Sequence, residues 1–232
     1  MNESFRTCTA LLALLLFAAS AGPALASDDV PQTTPEGMEL LKQTRSRVAW
    51  AMPGATLDQY SRVALLDCYV AFAKDWEKDY NRQAPSLSRR INADDMEKIK
   101  AKLAEEFKKV FSEELTKAGH EIVDHTGDDV LVVRPAIINL DVTAPDVGSA
   151  GWSRVVVRSA GQMTLYMELF DSTTGAIIAR VIDAQASDRA LGMEANRVTN
   201  KAEADRILRK WSRELAEHLG AVREETTAAD EG

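Results

Sequence analysis

The sequence predicts an α+β fold in two layers: a mixed, mostly antiparallel sheet of about four strands carries two main helices on one face. Residues 129–186 alternate apolar and polar side chains in three runs, as half-buried strands do. Two further runs, after Asn92 and after Asn200, place apolar residues at steps of three and four, as amphipathic helices do. The predicted order is β-α-β-β-β-α, and one sheet with one apolar face packs against helices in two layers.

Residues 1–26 have the features of a secretory signal peptide. Arg6 precedes an apolar run over Ala10–Ala19, which is too short to span a bilayer. The small residues Ala24 and Ala26 form a cleavage site before Ser27. The residue directly after that site is Ser27 and not a cysteine, so lipid attachment there has no nucleophile, which argues against membrane tethering. We therefore expect a periplasmic or secreted protein, cleaved near Ala26, with no transmembrane segment in its mature chain.

The mature chain divides into three predicted parts. Residues 27–60 form an N-terminal arm, with a short helix over Met38–Ala51 that Pro53-Gly54 ends. Residues 61–222 form a single α+β domain, and residues 223–232 form a disordered tail.

The first part of the domain is predicted to hold a strand, a long loop and a helix. The strand covers Arg62–Ala73, and charged residues over Lys74–Arg90 predict the loop. Asn92 suits a helix N-cap, and Gly119 suits a helix end. The inward side chains of the strand are those of one parity, Ala64, Leu66, Cys68, Val70 and Phe72.

The three central strands follow, and the last two form a hairpin through Asp171–Gly175. Pro135 cannot donate a backbone hydrogen bond, so the first of these strands is predicted to lie at an edge or to carry a bulge. Gly161 interrupts the second strand and predicts a bulge or a close backbone approach. Because a helix connects the strand at Arg62 to the next one, those two strands are expected to be parallel. The inward side chains of the first central strand are predicted to be Val130, Val132, Ala136, Ile138, Leu140 and Val142, and those of the second Met163, Leu165, Met167 and Leu169.

Charge and chemistry exclude several classes of protein. With 28 basic and 36 acidic residues the net charge is -8, which argues against nucleic-acid binding. Cys68 is the single cysteine of the mature chain, and its parity with Leu66 and Val70 predicts a buried, structural thiol. His120 and His125 have a spacing that matches no metal cage. We predict no catalytic residue, metal or cofactor.

Seven residues are candidates for binding. The strand residues Arg134, Arg154, Arg158 and Arg180 could form a basic patch for anionic groups, or an exposed sheet face with salt bridges to Glu168 and Asp183. The aromatic residues Trp76, Tyr80 and Trp152 fall in predicted loops, where they could anchor a partner or cover the core. The sequence leaves both alternatives open.

Four runs of the sequence carry a resemblance to a known family: VAWAMPGATLDQYSRVALLDCYVAF (Val48–Phe72), LVVRPAIINLDVTAPD (Leu131–Asp146), AGQMTLYMELFDSTTGAIIARVID (Ala160–Asp183) and VTNKAEADRILRKWSREL (Val198–Leu215). Together they resemble the DUF3313 family, a family of exported bacterial proteins, often lipoproteins, without an assigned function. The resemblance implies an exported cell-envelope protein. We expect a non-catalytic binding or assembly module with an envelope protein as partner; a small-ligand carrier and a hydrolytic enzyme with an unrecognised site remain the alternatives.

The signal peptide leads to a direct test. N-terminal sequencing of the protein from the envelope fraction should begin at Ser27, because the small-x-small site precedes that residue. A chain that still starts at Met1 would contradict processing there.

Overall fold

The computed structural model describes residues 30–84, 86–142, 155–156, 161–186, 194–195 and 197–230 of the chain. Within these residues the fold has three α-helices, an eight-stranded mixed sheet and a separate two-stranded pair. The expected sheet of about four strands is therefore wrong in size. The elements are β1 (Glu39–Gln43), β2 (Arg47–Ala51), β3 (Arg62–Leu65), β4 (Tyr69–Phe72), α1 (Trp76–Gln83), α2 (Ala93–Lys117), β5 (Glu121–Ile122), β6 (Val130–Val142), β7 (Val155–Val156), β8 (Gly161–Asp171), β9 (Ile177–Ala186), β10 (Glu194–Ala195) and α3 (Arg197–Asp230), with a 3-10 turn at Leu87–Arg89.

The large sheet has the order β1-β2-β9-β8-β6-β3-β5, and β4 also pairs with β6. From β1 to β6 all neighbours are antiparallel, whereas β3 and β4 run parallel to β6. The parallel connection predicted for the strand at Arg62 is confirmed, and α2 lies within that crossover. β7 and β10 form the two-stranded pair.

The short helix expected over Met38–Ala51 is wrong, because this segment is the hairpin β1–β2. Thr44 closes the turn: its backbone N donates to the Arg47 carbonyl at 2.7 Å, and its Oγ1 accepts from the Arg47 N at 2.9 Å. The register of the hairpin shifts between Leu40 and Lys42, so the apolar residues do not alternate as in a regular strand. The alternation of apolar and polar residues that predicts a strand is therefore absent from this stretch of the sequence.

Pro135 lies opposite a break in the neighbouring strand. β3 pairs with β6 up to Val133, whose carbonyl accepts from the Leu66 N at 3.0 Å, and β4 resumes the pairing at Ala136. Alternate residues of a strand face the same neighbour, so the Pro135 nitrogen faces the gap, where no donor is required. The edge position predicted for β6 is wrong, since β6 is an interior strand. The strand predicted over Arg62–Ala73 is instead two strands, β3 and β4, because Pro135 of β6 has no backbone donor between them.

The inward parity predicted for β6 is wrong over its first half. Leu131, Val133 and Ile137 are fully buried, whereas Val132 and Ile138 are half-buried. Asn139 then adopts φ 52° within a register shift, after which Leu140 is the buried residue. A bulge moves the following side chains to the other face. The break before β4 likewise leaves Leu66 exposed while Leu65 and Cys68 are buried.

The two long helices pack together over one face of the sheet, called the inner face here, as predicted. Asn92 caps α2 through the predicted contact, since its side chain accepts from the Asp95 N at 3.0 Å, and Gly119 follows the helix end with φ 96°. α3 begins at Arg197, before the amphipathic run predicted after Asn200, and continues to Asp230, into the tail expected to be disordered. The main buried side chains from the two helices are Phe107, Val110, Phe111, Leu115, Ile207, Leu208, Trp211 and Leu219.

The N-terminal arm covers part of the opposite, outer face. Met38 is fully buried and packs with Val48 and Trp50 of β2. The Trp50 indole Nε1 donates to the Pro31 carbonyl at 2.9 Å, and the Leu40 N donates to the Gln32 carbonyl at 2.9 Å. The arm is therefore part of the folded unit from residue 30 onward.

The predicted hairpin between β8 and β9 is confirmed. The Asp171 Oδ1 accepts from the backbone N of Thr173 at 3.1 Å and of Thr174 at 2.7 Å, and Gly175 takes φ 69° at the return. The inward residues predicted for β8 are also confirmed, since Met163, Leu165, Met167 and Leu169 are all buried.

Gly161 makes the predicted close approach. It has φ 134°, and a Cβ at this position would collide with the Asp141 carbonyl oxygen of β6.

Replacing Gly161 tests the register of β6 against β8. Gly161→Ala should lower the free energy of unfolding by about 1–3 kcal/mol beyond the effect of the positive φ, because the backbone must move to admit the methyl group. The control is Gly54→Ala, at φ 72° with open space around it, which should cost only about 1–2 kcal/mol. Urea unfolding measures both, and equal losses would contradict the close contact.

Candidate functional site

An ion cluster of Arg134, Tyr166, Glu168 and Arg180, named the outer-face cluster, occupies the centre of the outer face. Glu168 is the direct cross-strand neighbour of Arg134 on β6 and of Arg180 on β9. Its carboxylate is only 2% exposed and accepts from Arg134 Nε at 2.9 Å, Arg180 Nε at 2.8 Å and the Tyr166 hydroxyl at 2.7 Å. Every donor that a buried carboxylate requires therefore comes from the same sheet face.

The contacts fix the protonation states of this cluster. Burial raises the pKa of Glu168, but hydrogen bonds from Tyr166, Arg134 and Arg180 outweigh burial, and the net pKa is lowered. Burial and the bond to Glu168 raise the pKa of Tyr166 to about 12. Neither group therefore changes charge near neutral pH.

The cluster also holds the arm. Arg180 donates to the Glu36 carboxylate at 2.9 Å, and this bond lowers the pKa of Glu36 to about 2. Arg134 lies over the Phe170 ring at 4.7 Å with its side chain 58% exposed. Arg134 and Arg180 therefore form salt bridges with Glu168 on the sheet face, which is the second of the two alternatives, and do not form an unpaired basic patch. Arg154, Arg158 and Trp152 lie outside the described residues.

Trp76 is a buried residue of α1, so its predicted position in a loop is wrong. Its indole is 7% exposed, donates from Nε1 to Asp141 Oδ1 at 3.0 Å, and stacks on Phe72 with ring centroids 4.2 Å apart. Tyr80 stacks on the other side at 5.5 Å, and burial raises its pKa. Of the two predicted roles, anchoring a partner or covering the core, the buried indole of Trp76 covers the core. The i, i+4 spacing of Trp76 and Tyr80 was the available helix signal, which the surrounding charges obscured.

The nucleophile and metal candidates occupy separate surroundings. Cys68 is buried as predicted, and burial raises its pKa to about 12, so the unreactive thiol dominates at neutral pH. His120 is fully buried, with Nδ1 3.3 Å from the Ser61 carbonyl, whereas His125 is exposed beside Arg62. In the described part of the chain, no three His, Cys, Asp or Glu side chains come close enough to hold a metal ion.

The segment Leu66–Phe72, named the open edge, forms one side of the sheet. β4 pairs with β6 on one side, and no strand among the described residues pairs with its other side. β5 covers only Arg62 and Val63 of the preceding strand. Leu66 is 43% exposed and Tyr69 is 67% exposed, and β4 itself reads Tyr-Val-Ala-Phe, with no charged side chain.

The opposite edge, at β1, is protected by three devices. Lys42 puts a charge on the strand, the register shifts between Leu40 and Lys42, and Thr33 of the arm makes a β-bridge to Glu39. Charges, bulges and covering segments are the usual means by which edge strands avoid pairing with other chains. β4 shares only the register shift, which falls between Val70 and Phe72 in its pairing with β6. It carries no charged side chain, and no described segment pairs with its free side, which distinguishes it from the edge at β1.

Two small cavities accompany these surfaces. One, of about 60 Å³, is mainly apolar and lies between Leu140, Gly161 and Ile207. The other, of about 150 Å³, is polar and lies beside the turn of the β1–β2 hairpin. Both are below the roughly 300–1,000 Å³ of pockets that hold drug-sized ligands. No described helix combines the length and apolar character needed to cross a bilayer.

Comparisons with known proteins add a family and distant structural likenesses. The family model described as "Protein of unknown function (DUF3313)" matches residues 38–215. No curated protein matches the chain.

Three solved structures show distant likeness. A PelC dodecamer from Paraburkholderia phytofirmans is 12% identical, with 71% of this chain and 96% of that chain covered and a TM-score of 0.36. A DUF4136 family protein from Bacteroides thetaiotaomicron is 12% identical, with 78% and 97% covered and a TM-score of 0.36. A PDZ domain protein from Parabacteroides distasonis is 9% identical, with 72% and 34% covered and a TM-score of 0.37. Likenesses this distant carry no functional argument.

Replacing Glu168 by Gln tests the outer-face cluster. The amide keeps the shape but removes the charge that two guanidinium groups face, so we expect a loss of about 1–3 kcal/mol of unfolding free energy at pH 7. Because the folded-state pKa of Glu168 is lowered, its contribution is present above the unfolded pKa of about 4.3 and is lost as pH falls below it. The difference between wild type and variant should therefore shrink between pH 7 and pH 3 in urea titrations.

The control for this experiment is Glu105→Gln, on an exposed position of α2, which should leave the unfolding free energy nearly unchanged. A Glu168→Gln protein as stable as wild type at pH 7 would show that the cluster does not stabilise the fold.

Proposed function

This chain belongs to the DUF3313 family, and we propose that it is a non-catalytic binding or assembly module of the cell envelope that docks an extended segment of a partner protein on the open edge. The observation that carries the proposal is the contrast between the two edges of the sheet. β1 has a charge and a covering arm, whereas β4 has no charged side chain and no described segment on its free side.

An edge strand recognises an extended peptide through its backbone. The unpaired donors and acceptors of β4 supply hydrogen bonds for an added strand, and neighbouring side chains supply selectivity. Leu66 and Tyr69 are two of the few large apolar side chains that the described residues expose. A strand added beside β4 would cover both, which favours a partner segment with apolar side chains.

The size of the edge defines the kind of complex. β4 has four residues, so the backbone contact is short and buries a small area. Small interfaces are typical of weak, transient complexes, whereas permanent assemblies bury far more surface. The open edge therefore suits reversible capture of a flexible segment.

The location in the envelope is supported by the N-terminal sequence. Arg6, the apolar run Ala10–Ala19 and the Ala24–Ala26 site have the order of a signal for export, and cleavage before Ser27 would release the chain outside the cytoplasm. Ser27 rather than a cysteine stands directly after the Ala24–Ala26 site, so lipid attachment at that position has no thiol.

The alternatives find less support. A hydrolytic site built from Asp141, His125 and Arg134 would need these groups in one pocket. Instead Asp141 accepts from Trp76, His125 lies beside Arg62, and Arg134 binds Glu168. Arg134 and Asp141 are seven positions apart on β6, or about 23 Å along a strand. A ligand carrier would need a cavity larger than the two described.

Site-specific photo-crosslinking tests the docking surface. A photoreactive amino acid at position 69 should crosslink an envelope partner in cells, because this side chain lies on the open edge. Tyr69→Lys should lower co-purification of that partner at least fivefold, since a charge on an edge strand opposes pairing. Tyr69 is mostly exposed, so the melting temperature should stay within a few degrees of wild type.

Leu87 provides the matched control. It is 76% exposed and belongs to the 3-10 turn rather than to the open edge. The same photoreactive residue at position 87 should give no such crosslink, and Leu87→Lys should leave capture unchanged. Crosslinks that are equal at the two positions, or capture that survives Tyr69→Lys in a folded protein, would overturn docking at the open edge. Crosslinks only to a second copy of the chain would make the edge a self-association surface instead.

A further inference from the structure

A polar pocket of about 150 Å³, named the hairpin pocket, lies between the turn of the β1–β2 hairpin, the end of β9 and α3. Five charged side chains line it: Lys42, Arg47, Asp183, Lys210 and Glu214. It is at the other end of the sheet order from β4, so the open edge and this pocket are independent sites.

The floor of the pocket is a buried, fully bonded carboxylate. Asp183 is 1% exposed and accepts from Arg47 Nε at 2.8 Å, from Gln185 Nε2 at 2.7 Å and from the indole Nε1 of Trp211 at 3.2 Å. These bonds join β2, β9 and α3 at one point. A buried carboxylate with this many hydrogen-bond donors holds the neighbouring side chains in place.

Arg47 also neutralises the second acidic side chain. Its guanidinium forms ion pairs with both Asp183 and Glu214, so one cation is shared by the two anions of the pocket. Both carboxylates of the pocket lining, Asp183 and Glu214, are therefore paired with Arg47.

Two ammonium groups remain. Lys210 is half-buried, and its Nζ donates to a neutral group, the Gln185 side-chain amide oxygen, at 3.2 Å. Lys42, on β1, has no carboxylate within ion-pair distance among the described side chains. Three cationic side chains thus face two anionic ones, in a chain whose net charge is -8. Ser46, also in the lining, adds a hydroxyl donor.

We propose that the hairpin pocket binds a small oxyanion, a carboxylate or phosphate group, between the ammonium groups of Lys42 and Lys210. The anion completes the charge balance that the two wall carboxylates leave incomplete. The volume of about 150 Å³ suits a group of a few heavy atoms. The fixed Asp183–Arg47 network holds the pocket in shape before the anion arrives, which reduces the ordering cost of binding.

Calorimetric titration of the purified chain with sodium phosphate and, separately, with sodium succinate tests this site. Both titrations are made at pH 7 with sodium chloride holding the ionic strength constant. At least one anion should bind saturably with one site per chain. Tighter binding of phosphate assigns a tetrahedral oxyanion, and tighter binding of succinate assigns a carboxylate.

Variants locate the site. Lys42→Ala with Lys210→Ala should weaken binding at least tenfold, and Lys42→Ala alone, at an exposed position, should weaken it severalfold without unfolding the chain. The control, Lys109→Ala with Lys117→Ala on α2, removes the same charge elsewhere and should change affinity less than twofold. The proposal is overturned if neither anion binds saturably, or if Lys42→Ala binds as wild type does.

Discussion

The backbone nitrogen of Pro135 carries no proton, and the parallel half of the sheet is arranged around this missing donor. β6 needs a neighbour on that side for its other groups, because it is an interior strand with a buried inner face. The neighbour therefore pairs as two short pieces, β3 and β4, on either side of the proline. Between the pieces Leu66 is exposed while Cys68 is buried, and the strand that follows lies at the margin of the sheet. The open edge is thus a consequence of one residue in the strand beside it.

Two buried carboxylates hold the antiparallel half together from opposite faces. Glu168 binds Arg134 and Arg180 on the outer face, and Asp183 binds Arg47 and Trp211 on the inner face. Each links elements that are distant in sequence, and each would be left uncompensated if the strands paired one residue out of register. Buried ion pairs add little net stability over apolar packing, but a broken one is costly. We infer that these two pairs specify the register of β2, β9, β8 and β6 more than they raise the stability.

The sequence predicted those features whose signals are local. The turn at Asp171–Gly175, the cap at Asn92 and the alternation of β8 each depend on a few adjacent residues, and the structure confirms them. The hairpin β1–β2 was missed because its register shift breaks the alternation, and the inward parity of β6 was wrong before the bulge at Asn139. For the candidate sites, Arg134 and Arg180 were found, but their shared partner and the exposure of Tyr69 depend on strand pairing, which spacing along the chain does not contain.

The arm gives the folded unit a boundary that differs from the boundary of the family match. That match starts at residue 38, whereas Pro31 accepts the Trp50 indole and Glu36 binds Arg180. A fragment cut at the start of the match would keep Met38 but lose the Pro31 acceptor of the Trp50 indole and the Glu36 partner of Arg180. The folded unit of this protein is consequently longer at its amino end than the region that the family model matches.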